Sequence, residues 1–286
     1  MNPGIYTGID NADYHAGEGI SKSLLDLINR SPAHLRARLD RSDAHQPSAA
    51  QTLGSAVHAY VLEGVSVFES RYAIAPICDR RTKAGKETWE NFTAENPGKV
   101  YLTHDDMETI EAMSKSLYAH NAARGLLGDA EGVAEVSAYW HDQKTGILCR
   151  CRPDFWRSGG VLVDLKTTDD ASPEAFSRSI AAYRYHVQAA WYIDGCREAH
   201  VQSEEPPHLW LANHFVFVAV EKRPPYAVAC YTLDPQTIEL GREEYRANLD
   251  RYAACLQSDQ WPSYTETVAE IGVPLWYAKK TMEQNV

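Results

Sequence analysis

Arg152-Pro153-Asp154, nine residues of mostly strand character, and then Asp164-Leu165-Lys166 bring two carboxylates and one ammonium within reach of one another. Side chains at i and i+2 of a strand share a face, so Asp164 and Lys166 project together. If Asp154 ends the neighbouring strand, the three groups can hold a hard cation on oxygen ligands beside a group that orients or deprotonates water. Phosphodiester hydrolysis needs those parts: a metal that polarises the phosphate and stabilises the leaving oxygen, and a hydroxide for in-line attack. A lone DxK pair is common on strands, and as a surface ion pair it contributes at most about 1 kcal/mol. Here Val161-Leu162-Val163 precede Asp164 and Leu165 follows it, so the strand reads as central, where a charge is costly unless it is used.

Three more features fall into line with this pair. Glu135 lies in Val133-Ala134-Glu135-Val136-Ser137-Ala138-Tyr139-Trp140, where an uninterrupted strand puts it on a face with Val133, Ser137 and Tyr139. Gln188 and Tyr192, spaced i and i+4, stack on one face of a helix after the DxK strand. His58 follows Gly54-Ser55-Ala56-Val57, a small-residue helix turn that permits close approach of a backbone or ligand. Each has an ordinary explanation taken singly: an edge-strand charge that aids solubility, an amphipathic helix, a satisfied buried histidine.

The elements that must position these groups can be read from periodicity. Ser21-Lys22-Ser23 precede Leu24, Leu25, Leu27 and Ile28, so a hydroxyl can cap a short helix that ends before Pro32. Helices are predicted over about 51–63 and 105–124, strands over 133–140, 146–152 and 160–167. A helix-rich stretch over 173–199 follows, then strands at 214–220 and 226–233 and an amphipathic helix over 237–257. Ser203-Glu204-Glu205-Pro206-Pro207 reads as a loop within one domain. The expectation is one α/β domain over 1–286, with a mixed sheet of about five strands flanked by helices. Its core spans about 50–260, after an N-terminal helical segment at 1–50 and before a tail at 260–286.

With 286 residues and 44% hydrophobic content, the chain can bury one sizeable core. No stretch approaches the roughly 20 apolar residues that span a bilayer, and no basic segment followed by an apolar one opens the chain, so a cytoplasmic protein without a membrane partner is expected. The six cysteines form no CxxC pair and lack the grouping that binds an iron–sulfur cluster, so they read as reduced structural thiols. A net charge of −11 runs against the basic footprint of most DNA-binding proteins, but a groove needs only local cations. The clearest basic run is Arg80-Arg81-Thr82-Lys83-Ala84-Gly85-Lys86; a solvated loop and a DNA contact explain it about equally well.

Histidine in a GxxxH helix, then Glu, PD, DxK and QxxxY in that order resembles the RecB-like branch of the PD-(D/E)XK nucleases. Within it, Gly19-Ile20-Ser21-Lys22-Ser23, the basic run, Thr145-Gly146-Ile147-Leu148-Cys149-Arg150-Cys151-Arg152-Pro153-Asp154 and Tyr183-Arg184-Tyr185-His186-Val187-Gln188 resemble segments of the RecE-type exonucleases, and the likeness covers about 5–280. It implies a restriction-endonuclease-like core and a magnesium-dependent 5′→3′ exonuclease on double-stranded DNA with free ends, with manganese as a substitute ion and no nucleotide cofactor. It further implies a ring-shaped homo-oligomer and a RecT-type annealing partner that takes up the 3′ single strand. Asp154 and Asp164 would ligate the metal, with the Leu165 carbonyl and His58. Lys166 would position the attacking water, Glu135 would assist at the metal, and Gln188 and Tyr192 would organise the site. Arg80, Arg81, Lys83 and Lys86 would contact DNA, and Ser21 or Ser23, at a helix start, would take the 5′-terminal phosphate.

Overall fold

The computed structural model describes residues 1–40, 48–128, 131–204, 209–275 and 277, so parts of the loop expected at 203–207 and of the expected tail lie outside the described residues. Strand β1 (Gly4–Tyr6) is followed by helices α1 (Asn11–Ala16), α2 (Lys22–Arg30) and α3 (Pro32–Leu39). Helix α4 (Ala49–His58) runs into a π-helical turn (Ala59–Glu63) and α5 (Val65–Arg71). Then come β2 (Tyr72–Ile74), α6 (Lys83–Glu95), β3 (Val100–Leu102), α7 (His104–Ala119) and α8 (Asn121–Leu127). The strands β4 (Gly132–Ala134), β5 (Ser137–His141), β6 (Leu148–Cys151), β7 (Phe155–Arg157) and β8 (Val161–Thr168) follow. Helices α9 (Pro173–Ala182) and α10 (Tyr185–Gln202), strands β9 (His214–Glu221) and β10 (Val228–Thr232), and helix α11 (Pro235–Ser258) complete the sequence of elements.

The main sheet has the order β10-β9-β8-β7-β4, and β8 lies between β9 and β7. Its pairing is parallel to β9 and antiparallel to β7, because β8 reaches β9 through the α9–α10 crossover while β7 turns directly into β8. Both faces are covered. Trp156, Leu162, Phe215 and Phe217 pack with Ala189, Trp191 and Leu249 of α10 and α11. On the other face Val163, Leu165, Val218 and Val220 meet Val57, Ile110, Met113 and Leu117 of α4 and α7. Burial on both sides is the reason β8 reads as a nearly unbroken apolar run with charges only where chemistry puts them.

Several boundaries differ from the periodicity. The single strand expected over 133–140 is two: β4 pairs with β7 in the main sheet, whereas β5 belongs to a second sheet, β1-β5-β6. Between them Glu135 adopts a left-handed backbone with φ of 52°. Glu135 therefore does not share a pleated face with Val133, Ser137 and Tyr139, because the left-handed residue resets the alternation. The N-terminal segment is not wholly helical either, since β1 pairs with β5, Gly4 opposite Tyr139. The helix expected over 105–124 is broken at His120, whose ring accepts from the Ala123 amide and caps α8. Among the described residues no helix is long and apolar enough to cross a membrane.

Helix α11 crosses the first turn of α10 at Gly241, where a methyl group would collide with the His186 carbonyl. Close approach of two backbones is the use of glycine here. Gly241→Ala is expected to cost about 1–3 kcal/mol in urea denaturation through overpacking; an unchanged midpoint would show that the two helices are not locked at that point.

Candidate active site

Asp154 stands immediately before β7, and the pairing of Phe155 with Val163 carries it, one step on, to the side of Asp164. Its Oδ2 accepts from the Leu165 amide at 2.7 Å, so the short β7 strand holds the carboxylate against the middle of β8. Asp164 is 1% exposed. Its Oδ2 accepts from Gln188 Nε2 at 2.5 Å, and its Oδ1 pairs with Lys166 Nζ at 2.5 Å. That Oδ1 makes no hydrogen bond of good geometry, so a buried oxygen keeps an uncommitted lone pair. Asp164 and Lys166 share a face of β8 as the alternation requires.

His58 ends α4, where the regular helix gives way to the π-helical turn, and its ring crosses to the same strand. Its Nε2 donates to the Leu165 carbonyl at 2.6 Å, and its Nδ1 lies 3.5 Å from Asp154 Oδ2. One donor atom each from His58, Glu135 and Asp154 lie within 4.8 Å of one another. Glu135 reaches this group because of its left-handed backbone, and its amide donates to the Asp154 carbonyl at 3.0 Å. The donor set, two carboxylates, an imidazole and a neighbouring backbone carbonyl, fits a divalent cation of the hard or borderline class. The compact group is thus His58, Glu135 and Asp154, with Asp164 turned toward Lys166 and Gln188.

The electrostatics agree with a place built for a cation. Burial pushes the Glu135 carboxyl up to about 8, with Asp154 and Glu63 adding repulsion that Arg152 and Arg71 only partly offset. Burial and the Asp164 charge push Asp154 up to about 6, against the opposing pull of His58, Lys166 and the Leu165 amide. Burial alone would lower the Lys166 ammonium, but Asp164, then Asp154, outweigh it and raise its pKa. Asp164 and Asp154 thus hold Lys166 as an ammonium, a donor beside the buried carboxylates.

Tyr192, one turn after Gln188, packs its ring edge-on against Phe215, and burial raises its hydroxyl well above the usual range. Ser21 is the residue before α2, yet its hydroxyl makes no cap; it pairs with Ser23 Oγ at 2.9 Å, which corrects the capping expectation. The basic run straddles the start of α6, with Arg80 and Arg81 before it and Lys83 and Lys86 in its first turn. Arg80 sits 4.4 Å from the Trp89 ring centroid and Arg81 is 3.0 Å from Asp79, whereas Lys83 and Lys86 are exposed. Among the described residues none of these four pairs with a site carboxylate.

Periodicity missed three supporting cations. Arg152 lies 3.9 Å from Glu135 and donates to Ser137 Oγ from Nε at 2.9 Å. Lys22 pairs with Asp26 at 2.7 Å and lies near enough to Lys166 for mutual repulsion; burial is the main reason its ammonium is lowered. Arg184 bridges Asp26 of α2 and Glu244 of α11 at 2.7 and 2.9 Å. Cys149-Arg150-Cys151-Arg152 carried a signal for the first, since arginines alternating with buried residues on a strand must face something polar.

Residues 21–272 match the model of a family described as a PDDEXK-like domain of unknown function (DUF3799). A candidate exonuclease from Eubacterium rectale has the same fold, with a TM-score of 0.60 over 96% of this chain and 98% of that one at 13% identity. The alkaline exonuclease LHK-Exo from Laribacter hongkongensis is matched over 72% of this chain and 89% of that one, at 14% identity and a TM-score of 0.27. No match is found among curated proteins.

Raised carboxyls mean that the native chain binds more protons than the unfolded chain, so their contribution to stability is present below the unfolded values and is lost as pH rises through about 6 and about 8. A divalent cation competes with those protons. The rise in melting temperature on replacing chelator with magnesium should therefore grow between about pH 5.5 and about pH 8.5; calorimetry that finds it flat or shrinking would contradict a carboxylate-bound cation.

Proposed function

Because this chain belongs to the PDDEXK-like family, whose nucleases use divalent metals, we propose that it is an exodeoxyribonuclease that degrades one strand of linear duplex DNA in the 5′→3′ direction. The product would be a 3′ single-stranded tail for a RecT-type annealing partner. The observation that carries the reading is the Lys166 ammonium, 2.5 Å from Asp164, on the strand whose intervening residue, Leu165, contacts both Asp154 and His58.

In this reading Asp154, Asp164, the Leu165 carbonyl and His58 would hold the cation, magnesium with manganese as a substitute, and Glu135, whose carboxylate lies with His58 and Asp154, would assist through water. A cation held there would supply charge that polarises the phosphate and lowers the pKa of a water. Lys166 orients that water for in-line attack and remains protonated while doing so. Gln188 fixes the Asp164 carboxylate through its 2.5 Å hydrogen bond, and Tyr192, packed edge-on against Phe215, would help it organise the site and the DNA strand. Ser21, Ser23 and Lys22, at the start of α2, take the 5′-terminal phosphate, with the Lys22 ammonium supplying a charge that hydroxyls lack. Arg80, Arg81, Lys83 and Lys86 contact the duplex backbone. The chain would be a single nuclease domain of the RecE type, several copies of which would assemble into a ring.

Asp164→Ala should reduce magnesium-dependent hydrolysis of linear duplex to background while leaving DNA retention in a gel largely intact. Closed circular duplex should survive the wild-type protein; its cleavage would make the enzyme an endonuclease. Ser23→Ala and Lys22→Ala should slow digestion of 5′-phosphorylated ends more than of 5′-hydroxyl ends, and equal losses on both would remove the phosphate assignment.

A further inference from the structure

Beside Lys166 a groove opens over Thr168 at the end of β8, flanked by Phe176 and Tyr185 and closed at its rim by Lys222 and Tyr183. Two of its lining residues, Tyr185 and Tyr183, continue a column of rings that starts in the core. Phe217, fully buried, stacks on Tyr185 with centroids 5.4 Å apart and planes 29° apart. Tyr185 stacks in turn on Tyr183 at 5.6 Å and 28°. Tyr183 remains 61% exposed, so the column leaves the core and ends on an open aromatic surface. The Lys166 ammonium lies 4.8 Å from the centroid of the middle ring, which ties the column to the candidate chemistry.

A single exposed tyrosine needs no explanation. The backbone that carries this one does. Arg184, the next residue, has a left-handed backbone with φ of 54°, a conformation that costs roughly 1 kcal/mol in a residue with a side chain. Its guanidinium is held by Asp26 at 2.7 Å and Glu244 at 2.9 Å. Lys22 Nζ donates to the Tyr183 carbonyl itself at 2.7 Å. Elements α2, α10 and α11 thus converge on the turn that sets the direction of the Tyr183 ring, and none of these clamps ligates a candidate metal donor. Two carboxylates line the groove as well: Asp169 is paired with Lys222 at 2.9 Å and Asp170 accepts from the Ser172 amide at 2.8 Å, so part of the negative charge facing a phosphodiester is answered.

A flat aromatic face beside cations, one groove away from a phosphodiester site, fits a nucleobase whose own strand runs through that site. Stacking of this kind ignores base identity, because every base has a π face. We propose that Tyr183 is a stacking platform for an unpaired nucleobase of the strand engaged at the candidate active site. The inference rests on the nuclease reading above and adds to it a single-stranded terminus as the form of substrate that the site grips.

The test uses the full chain with calcium in place of magnesium and two 5′-phosphorylated duplexes with two unpaired terminal nucleotides, one intact and one abasic at both. Anisotropy titrations should show wild-type protein binding the intact end about 5–150-fold more tightly, the range expected for one stacked base. Tyr183→Ala should abolish that difference, binding both ends as wild type binds the abasic one, and Tyr183→Phe should preserve it. Equal wild-type affinity for the two ends, or an equal loss for both in Tyr183→Ala, would overturn the stacking proposal while leaving the nuclease reading intact. A wild-type chain that binds neither end would instead defeat the nuclease reading. A melting temperature unchanged by Tyr183→Ala, expected for an exposed ring, ties any loss to contact.

Discussion

A carboxylate buried in the middle of a strand that is apolar on both faces is the constraint around which this fold is arranged. Removing an ion from water costs several kcal/mol even after relaxation, so Asp164 at 1% exposure is tenable only with its charge and lone pairs answered. Lys166 answers the charge and Gln188 one oxygen, each at 2.5 Å. The same low-permittivity surroundings that make the carboxylates expensive strengthen their attraction for a small cation. Tight packing on one face of β8, by α10 and α11, and on the other, by α4 and α7, is therefore part of the electrostatics as well as of stability.

Much of this was legible in the residues. The Asp164-Leu165-Lys166 alternation and the apolar run before it identify a central strand, and the i, i+4 spacing brings Gln188 and Tyr192 to one helix face. The path of Glu135 was not legible: a left-handed residue leaves no periodic trace, and the apolar Val133 and Val136 on either side read as one strand although they serve different sheets. The serine pair before α2 is a similar case. Residue type favours a cap, but Ser23 competes for the Ser21 hydroxyl, and that choice depends on rotamers. The contacts of Lys22 with the Tyr183 carbonyl, of Arg152 with Glu135 and of Arg184 with Asp26 and Glu244 escaped notice because each joins elements that only the tertiary fold brings near.

Helix α10 links the site to the rest of the molecule. Its first turn carries Tyr185 and Gln188, which touch Lys166 and Asp164, and the same turn is anchored to α2 and α11 through Arg184 and His186. Glu244 receives both of those anchors, and Gly241, one turn earlier on α11, lets the backbones close to contact. A polar network at the periphery thus sets the height and rotation of a helix whose inward side chains must meet β8 within a few tenths of an ångström.

Two residues, Glu135 and Val136, are all that separate β4 in one sheet from β5 in the other. Both flanking strands are pinned by pairing, β4 to β7 and β5 to β1 and β6, so the joint has no slack to absorb a change in length. Gaining or losing a single codon there would swing the acid away from His58 and Asp154 or invert the pleat of a neighbouring strand. This stretch is therefore held in spacing as well as at its acid, in contrast to surface turns, which tolerate additions freely.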